Sequence, residues 1–388
     1  MQDSLESPPI EEKNFLCQIL IDIKKERSEK RLSNKALLIR LLTLKINQLD
    51  QFEELAGGYS NSTYHYKEEK LVLRFPKLHN PRYCPTSYAS HASIEIHNLL
   101  KAKAFSLTPL EVVAYYTEYS LLVTQFIPSY QFCSKEYFKD TDKLTELANL
   151  VKKLHYSKLE FEENNETPFP FIDSSSKIFK TICSTLDEED YKIIEQLQAI
   201  RSSVANFEIR KRPSHGDLHP FNLIEIGGVI QLIDWEFSSM RDPAYDISRF
   251  LCGSDLDPET EDFFLETYKD AFNIELSDSE FDYLKMRIQL FKPLIYFSTV
   301  VWAKYTVSFY DDKRELFEEV IKDFTAKTLS TIKKIDLSTI NAKNYATSNL
   351  LTDSPPKPSF FKNTSENEST IASDTLSETS SHASVKKS

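Results

Sequence analysis

The stretch that most constrains this chain is residues 215–222, reading HGDLHPFN, followed twelve residues later by Asp234 in LIDWEF. Residues 222–226 and 229–233 read as two short strands joined by Gly227-Gly228, a two-residue turn favoured in tight hairpins. Such a hairpin sets Asn222 and Asp234 side by side at its open end, with Asp217 just before it. That arrangement of two acids and an amide is what phosphoryl transfer from a magnesium nucleotide requires. The protein does little covalent work in this chemistry, and catalysis is mostly positioning and charge neutralisation around the γ-phosphate. One carboxylate must stand near the attacking hydroxyl, while oxygen ligands hold Mg2+ on the phosphates, because this ion prefers near-octahedral oxygen coordination with few protein ligands. Asp217 fits the first place, and Asn222 with Asp234 fits the second. The bland alternative makes HGD a turn and Asp234 an acid at a strand end; the ordered coincidence of His215, Asp217, hairpin, Asn222 and Asp234 argues against it.

At these residues the chain resembles the choline/ethanolamine kinase branch of the aminoglycoside phosphotransferase superfamily, relatives of protein kinases whose catalytic loop reads H-G-D-x-x-x-x-N where protein kinases read H-R-D. Gly216, and DWE in place of DFG, point to a small-molecule kinase over a protein kinase. Upstream, residues 55–66 (LAGGYSNSTYHY) and 70–75 (KLVLRF) are similar to the family's nucleotide loop and following strand. Downstream, residues 242–250 (DPAYDISRF), 263–272 and 298–305 (STVVWAKY) resemble the choline kinase branch. The likeness covers roughly residues 50–330. It implies an α+β, bilobal, protein-kinase-like fold, with an antiparallel sheet plus helix in the small lobe and a mostly α-helical large lobe, and it implies ATP and Mg2+ as cofactors.

The chain has room for two lobes: 388 residues bury a large core and hold about two ordinary domains. Its net charge of −12 opposes nonspecific attraction to nucleic acid or anionic membranes and suits a cationic substrate, although a pocket has its own local field. The cysteines Cys17, Cys84, Cys133, Cys183 and Cys252 are scattered, odd in number and without a CxxC pair, which predicts free thiols in a reducing compartment. The N-terminus lacks a basic region followed by an apolar core, and the longest apolar stretch, 290–303, contains Lys292 and Pro293 and is too short to span a bilayer. A cytoplasmic protein without a transmembrane segment is the expectation. Its oligomeric state, monomer or homodimer, stays open.

Along the chain, residues 1–47 carry apolar residues at helical spacing and form an N-terminal extension. Residues 48–130 are expected to be the small nucleotide-binding lobe, with strands in 64–69, 70–75, 110–119 and 120–127, a helix near 92–104, and a hinge at 127–132. The large catalytic and substrate lobe takes 131–336: a periodic helix over 141–159, a loop over 160–170, two further helices before the catalytic loop, and helix from 258 through about 336. The tail, 345–388, is expected to be disordered; from 351 on it holds ten Ser and five Thr.

Glycine is scarce. Of six in all, five fall in the motifs above, Gly57, Gly58, Gly216, Gly227 and Gly228, as expected where positive φ or close backbone approach is needed. The loop Gly57-Gly58-Tyr59-Ser60-Asn61 is expected to arch over the nucleotide phosphates, offering backbone N–H groups and the Ser60 and Asn61 side chains; a GG pair is also ordinary turn chemistry. The resemblance places Arg74 where protein kinases have the strand lysine, with a guanidinium able to fork onto phosphate oxygens, and makes Glu95 on the next helix its partner. His215 is read as a structural support of the loop, as are Asp242 and Asp246, and Asp217 as the group that orients the acceptor hydroxyl and takes its proton.

On the acceptor side, Glu236 lies two residues past Asp234 and by strand alternation shares its side; the family places the matching acid near the substrate's cationic head. Quaternary ammonium groups are bound by aromatic faces. Trp302, with Tyr305 or Tyr296 on the same helix, is the candidate wall, and Tyr245 lies near the pocket. A buried tryptophan is more commonly plain core. The branch often shows an earlier tryptophan in this helix, and here that position is Thr299, a departure that weakens the choline assignment more than the kinase assignment. The reading is therefore a small-molecule kinase acting on choline or ethanolamine to give a phospholipid head-group precursor. An aminoglycoside, thiamine, sugar or homoserine acceptor on the same fold is the alternative, and a nucleotide-binding pseudokinase scaffold is the second.

Overall fold

Strand β2 (Asn61–Tyr66) buries Asn61, Ser62, Tyr64 and Tyr66 and leaves Thr63 and His65 half-buried, close to the alternation of a sheet with one packed face. The computed structural model describes residues 52–337 apart from 56–60, 68–69, 77–87, 117–120, 162–168, 170, 206 and 208. Around β2 lie β1 (Phe52–Glu54), β3 (Leu71–Pro76), β4 (Val112–Tyr116) and β5 (Leu121–Gln125), forming a five-stranded antiparallel sheet in the order β1-β2-β3-β5-β4. Helix α1 (Tyr88–Ala104) connects β3 to β4. Its buried Asn98 donates from Nδ2 to Ser238 O at 3.0 Å, so this helix is fastened directly to the segment that follows DWE.

The expected hinge at 127–132 is a strand over its second half. β6 (Tyr130–Phe132) pairs antiparallel with β8 (Leu223–Ile226), and β8 pairs with β9 (Val229–Leu232), giving a three-stranded sheet in the large lobe. The turn between β8 and β9 is made by Gly227 and Gly228, at φ 57° and 85°, the left-handed region that a two-residue hairpin of this type demands.

The large lobe is otherwise helical. α2 (Thr141–His155) is N-capped by Asp140, whose side chain accepts from Asp142 N, and it ends four residues earlier than its periodicity predicts. α3 (Lys177–Ile182) and α4 (Glu188–Ala205) precede the catalytic loop. The helical run expected from 258 to 336 is broken into α6 (Pro258–Asp270), α7 (Asp278–Thr306) and α8 (Arg314–Ile332), after α5 (Pro243–Ser254). α7 opens on a capping box between Ser277 and Glu280. From Arg287 to Ala303 most of its residues are buried, so it is the central strut of the lobe. Phe138 meets Phe250 edge to face at 5.1 Å between centroids, and Phe250 meets Phe264 at a tilt, 4.9 Å apart. Among the described residues no helix is long and apolar enough to cross a membrane, and Cys133, Cys183 and Cys252 are free thiols. The extension 1–47, the tail 345–388, Cys17 and Cys84 lie outside the described residues.

One buried cation ties α2 to α6. Lys152 is fully buried; its Nζ donates to Tyr268 O and Lys269 O, both at 3.0 Å, and lies 4.6 Å from the centre of the Tyr268 ring. It thus satisfies carbonyls at the C-terminus of α6, where a positive charge is favoured. Burial pushes its pKa from 10.5 down to about 8. Between pH 8 and 10.5 the unfolded chain binds a proton that the folded one has released, so the burial cost is fully present below pH 8 and is relieved as pH rises through that window. Denaturant unfolding of the wild type should therefore gain, relative to Lys152→Met, on the order of 3 kcal/mol from pH 7.5 to 10.5. A constant difference between the two proteins over that range would contradict this account.

Candidate active site

The catalytic loop is closed at its base by a two-stranded ladder. β7 (Arg212–Ser214) pairs antiparallel with β10 (Ser239–Arg241), Ser214 opposite Ser239, so residues 215–238 form one excursion carrying the loop, the hairpin and the DWE turn. Immediately after β7, Gly216 takes φ 82°, and a Cβ there would lie 2.1 Å from Phe237 O. Only glycine fits between the two legs of the excursion.

Behind this point stands Asp246, fully buried on α5. Its Oδ2 accepts from His215 N at 2.6 Å and its Oδ1 from Gly216 N at 2.8 Å, while His155 Nε2 lies 3.2 Å from Oδ2 and His155 Nδ1 lies 2.8 Å from Tyr268 Oη. Burial acts to raise the pKa of Asp246, but the hydrogen bond and charge of His155, the nearby His215 and the Gly216 N–H together hold it below the usual carboxylate range. Asp242 N-caps α5 through Ala244 N at 2.9 Å and forms a two-point pair with buried Arg287, at 2.8 and 3.2 Å. His215 is buried, and burial lowers its pKa, so its ring is neutral. Its Nε2 donates to Ile233 O at 2.8 Å, which leaves Nδ1 as the acceptor facing Asp217 N.

Asp217 faces outward from the loop. Its Oδ2 accepts from Asn222 Nδ2 at 3.1 Å and lies 3.3 Å from His219 Nε2; its Oδ1 accepts from Arg249 Nε at 2.9 Å. Burial raises its pKa, but the charges of His219 and Arg249 and their hydrogen bonds outweigh burial and hold it far below the usual range. It is ionised at any ordinary pH. Asn222 also donates from Nδ2 to Asp217 O at 2.9 Å, so its amide oxygen, the atom a divalent cation takes, is not spent on Asp217.

Across the cleft, Arg74 on β3 gathers the remaining acids. It pairs with Glu95 of α1 through Nη1, and its Nη2 donates to Asp234 Oδ1 at 2.7 Å and to Glu236 Oε2 at 3.1 Å. Asn61, with its amide oxygen turned to Arg74, accepts from Nε at 3.2 Å and Nη2 at 2.7 Å. Asp234 and Glu236 do share a side, but not by strand alternation: β9 ends at Leu232, before both. The ladder closes with Ile233 N donating to Asn222 O at 3.1 Å, and Asp234 then turns into the left-handed region at φ 64°. Between them, Trp235 is buried, its ring edge-on to His215 at 4.9 Å.

Three carboxylates thus share one guanidinium. Burial raises the pKa of Asp234; Arg74 opposes this, and the carboxylates of Glu236, Glu95 and Asp217 add to the rise. An oxygen-only donor set of Asn222, Asp234 and Glu236 with surplus negative charge fits a hard divalent cation such as Mg2+. The structure therefore brings together Asn61, Arg74, Glu95, Asp217, Asn222, Asp234 and Glu236, with His215, Asp242 and Asp246 behind them. Gly57, Gly58 and Ser60 lie outside the described residues. Of the residues expected on the acceptor side, Tyr245 packs against Phe291 at 5.8 Å and under the Arg241 guanidinium at 5.0 Å, Trp302 is edge-on to Phe317 of α8 at 5.7 Å, and Tyr305 to Phe309 at 5.1 Å. Four contributors carried no assigned role from the sequence: His219, Arg249, His155 and Asn98. Arg249 had a readable signal, since it follows Asp246 by three residues on one helix face.

The profile of the family described as phosphotransferase enzyme family matches residues 51–288. Protein LicA of Haemophilus influenzae is 24% identical over 270 residues, covering 69% of this chain and 93% of that protein. Among solved structures, choline kinase LicA from Streptococcus pneumoniae superposes with a TM-score of 0.57 at 20% identity, covering 77% of this chain and 99% of that one. A choline/ethanolamine kinase family protein from Mesorhizobium loti gives 0.58 at 20% identity, covering 80% and 99%. At these identities the likeness shows the shared bilobal kinase-like fold.

Replacing Asp246 by Asn puts an amide NH2 against a buried backbone N–H that now has an acceptor. The expected cost is roughly 1–3 kcal/mol of unfolding free energy, measured by denaturant titration, with most turnover lost as the loop shifts. A variant of unchanged stability and activity would contradict this account of the loop.

Proposed function

We propose, for a chain that belongs to the phosphotransferase enzyme family, that it transfers the γ-phosphate of ATP to the hydroxyl of a small amino alcohol, choline or ethanolamine. The observation that carries the reading is the convergence of Asp217, Asn222, Asp234 and Glu236 on one cleft beneath Arg74. The sheet lobe, 48–130, contributes Asn61, Arg74 and Glu95 to the nucleotide, and residues 131–336 contribute the catalytic loop and the acceptor wall. Asn222 and Asp234 are the residues that would hold Mg2+, with Glu236 beside them, and the ion when bound neutralises charge on the nucleotide's phosphate oxygens. Arg74 is fixed by Glu95 so that its fork faces the cleft. Ionised Asp217 accepts the hydrogen bond of the acceptor hydroxyl, aims its oxygen at the γ-phosphorus and receives its proton as the bond forms. Trp302 and Tyr305 offer aromatic faces along α7 for the ammonium head. The free thiols and the absence of a spanning helix among the described residues are compatible with a cytoplasmic setting.

A second reading is favoured by one specific observation. Thr299 stands where the choline branch often has tryptophan, and it accepts from Arg249 Nη1 at 3.2 Å. A guanidinium on that wall suits a hydroxyl-rich or carboxylate-bearing acceptor, such as a sugar or homoserine, better than a quaternary cation.

A coupled assay with ATP across choline, ethanolamine, thiamine, homoserine, sugars and an aminoglycoside panel separates these readings; turnover of none of them would remove both. On the acceptor used, Asp217→Asn should lose about 10²–10⁴-fold in kcat. If choline is that acceptor, Trp302→Ala should raise its KM by roughly 2- to 30-fold, the equivalent of one aromatic face. An unchanged KM would take Trp302 out of the pocket.

A further inference from the structure

Arg249 lies in the 242–250 segment but carries no role in the reaction as read from the sequence, yet it makes a direct side-chain contact to Asp217 from outside the loop. It sits three residues after Asp246 on α5, so one helix face carries both the carboxylate that holds the loop from behind and the guanidinium that meets its key acid from the side. Arg249 Nε donates to Asp217 Oδ1 at 2.9 Å, and Nη1 donates to Thr299 Oγ1 at 3.2 Å; Thr299 Oγ1 donates in turn to Ile295 O at 3.1 Å on α7. The guanidinium, carried by α5, thereby bridges the loop at Asp217 and α7 at Thr299. Its side chain is 27% exposed and that of Asp217 20%, well below the exposure at which ion pairs contribute little.

The geometry at Asp217 gives this pair a task. A carboxylate on a single rotatable bond has two equivalent oxygens, and an acceptor hydroxyl needs one of them at a fixed place. Asn222 and His219 address Oδ2 from within the loop, and both belong to the same short segment as Asp217, so they move with it. Arg249 addresses Oδ1 from a helix of the rigid core. We propose that Arg249 is a positioning residue for the transfer: it fixes the plane of the Asp217 carboxylate and, through Thr299, registers it against α7, the helix that lines the acceptor side. The proposal rests on the reading of Asp217 as the residue that meets the acceptor hydroxyl. Because it concerns orientation of the acid in the transition state and not capture of either substrate, its signature is a fall in kcat and kcat/KM together.

The full-length protein with Arg249→Met, Arg249→Lys and Thr299→Val, assayed on the acceptor that the wild type turns over, tests it. Misplacement of a reacting group by about 1 Å costs on the order of 100-fold, so Arg249→Met should lose about that in kcat with KM for acceptor and ATP within roughly threefold. Arg249→Lys, which keeps a cation within reach of Oδ1, should recover about a tenth or more of the wild-type kcat. Thr299→Val, which deletes only the anchoring hydroxyl, should lose roughly 3- to 10-fold. Thermal melts and ATP titrations accompany each variant. A merely structural arginine would give Met and Lys variants with similar melting points and similar rates, and that result overturns the proposal. So does an Arg249→Met kcat within about threefold of wild type, or a loss confined to KM. If Arg249→Met does not fold, Thr299→Val decides, and wild-type kcat in that variant counts against the proposal. Normal turnover by Asp217→Asn would instead remove the underlying reading of Asp217 and the proposal with it, whereas an inactive Asp217→Asn beside a normal Arg249→Met removes the proposal alone.

Discussion

A buried carboxylate without partners is among the costliest things a fold can contain, and Asp246 is buried without residual exposure. Its charge is supported by two successive backbone N–H groups, those of His215 and Gly216, and by His155, so the catalytic loop is a condition for burying Asp246 as much as Asp246 is a brace for the loop. His155 passes the constraint to Tyr268 on α6, and Lys152, one turn earlier on α2, fastens the end of that same helix. Two elements remote from the cleft are thereby locked to its floor. The cleft inherits the rigidity of the large lobe's core.

The upper wall is organised differently. Arg74 is aimed by acids on two segments, Glu95 from α1 and Asp234 with Glu236 from the turn after β9, together with the amide of Asn61. Asn98 adds a neutral tie from α1 to Ser238 O. The two lobes therefore meet in a polar seam whose charges a bound nucleotide and cation would redistribute, above a floor held by the buried Asp246 network. A kinase needs this division, with one adaptable wall over one fixed acid.

Much of this was legible in the sequence because its signals are local. A GG dipeptide between two short runs of strand-forming residues reads as a hairpin, and the places of Asn222 and Asp234 follow from its register; four of the five strands of the sheet and helix α2 follow from alternation and periodicity, with the first of those strands expected at 64–69 and found at Asn61–Tyr66, and β1 not foreseen. The misplacements have physical causes of the same kind. Residues 130–132 look like a linker because their strand partner lies some ninety residues away in β8, and pairing at that separation leaves no mark on the strand itself. The shared side of Asp234 and Glu236 was inferred from a strand that stops at Leu232; the positive φ of Asp234 does what alternation was expected to do. The tie between Arg249 and Thr299 stayed silent because it joins two helices fifty residues apart, although the three-residue step from Asp246 to Arg249 was there to be read.

Gly216 carries a consequence for how such loops can change over time. Its missing side chain is filled by the carbonyl of Phe237, so the incoming and outgoing legs of the excursion run closer than any other residue permits. A loop with arginine at this position must first part those legs, which displaces the Ser214–Ser239 pairing and everything threaded between them. The difference between the two kinds of catalytic loop is thus a difference in main-chain route. Replacing Gly216 alone therefore sets a side chain against the Phe237 carbonyl, and the exchange requires a rerouted backbone as well as a new residue.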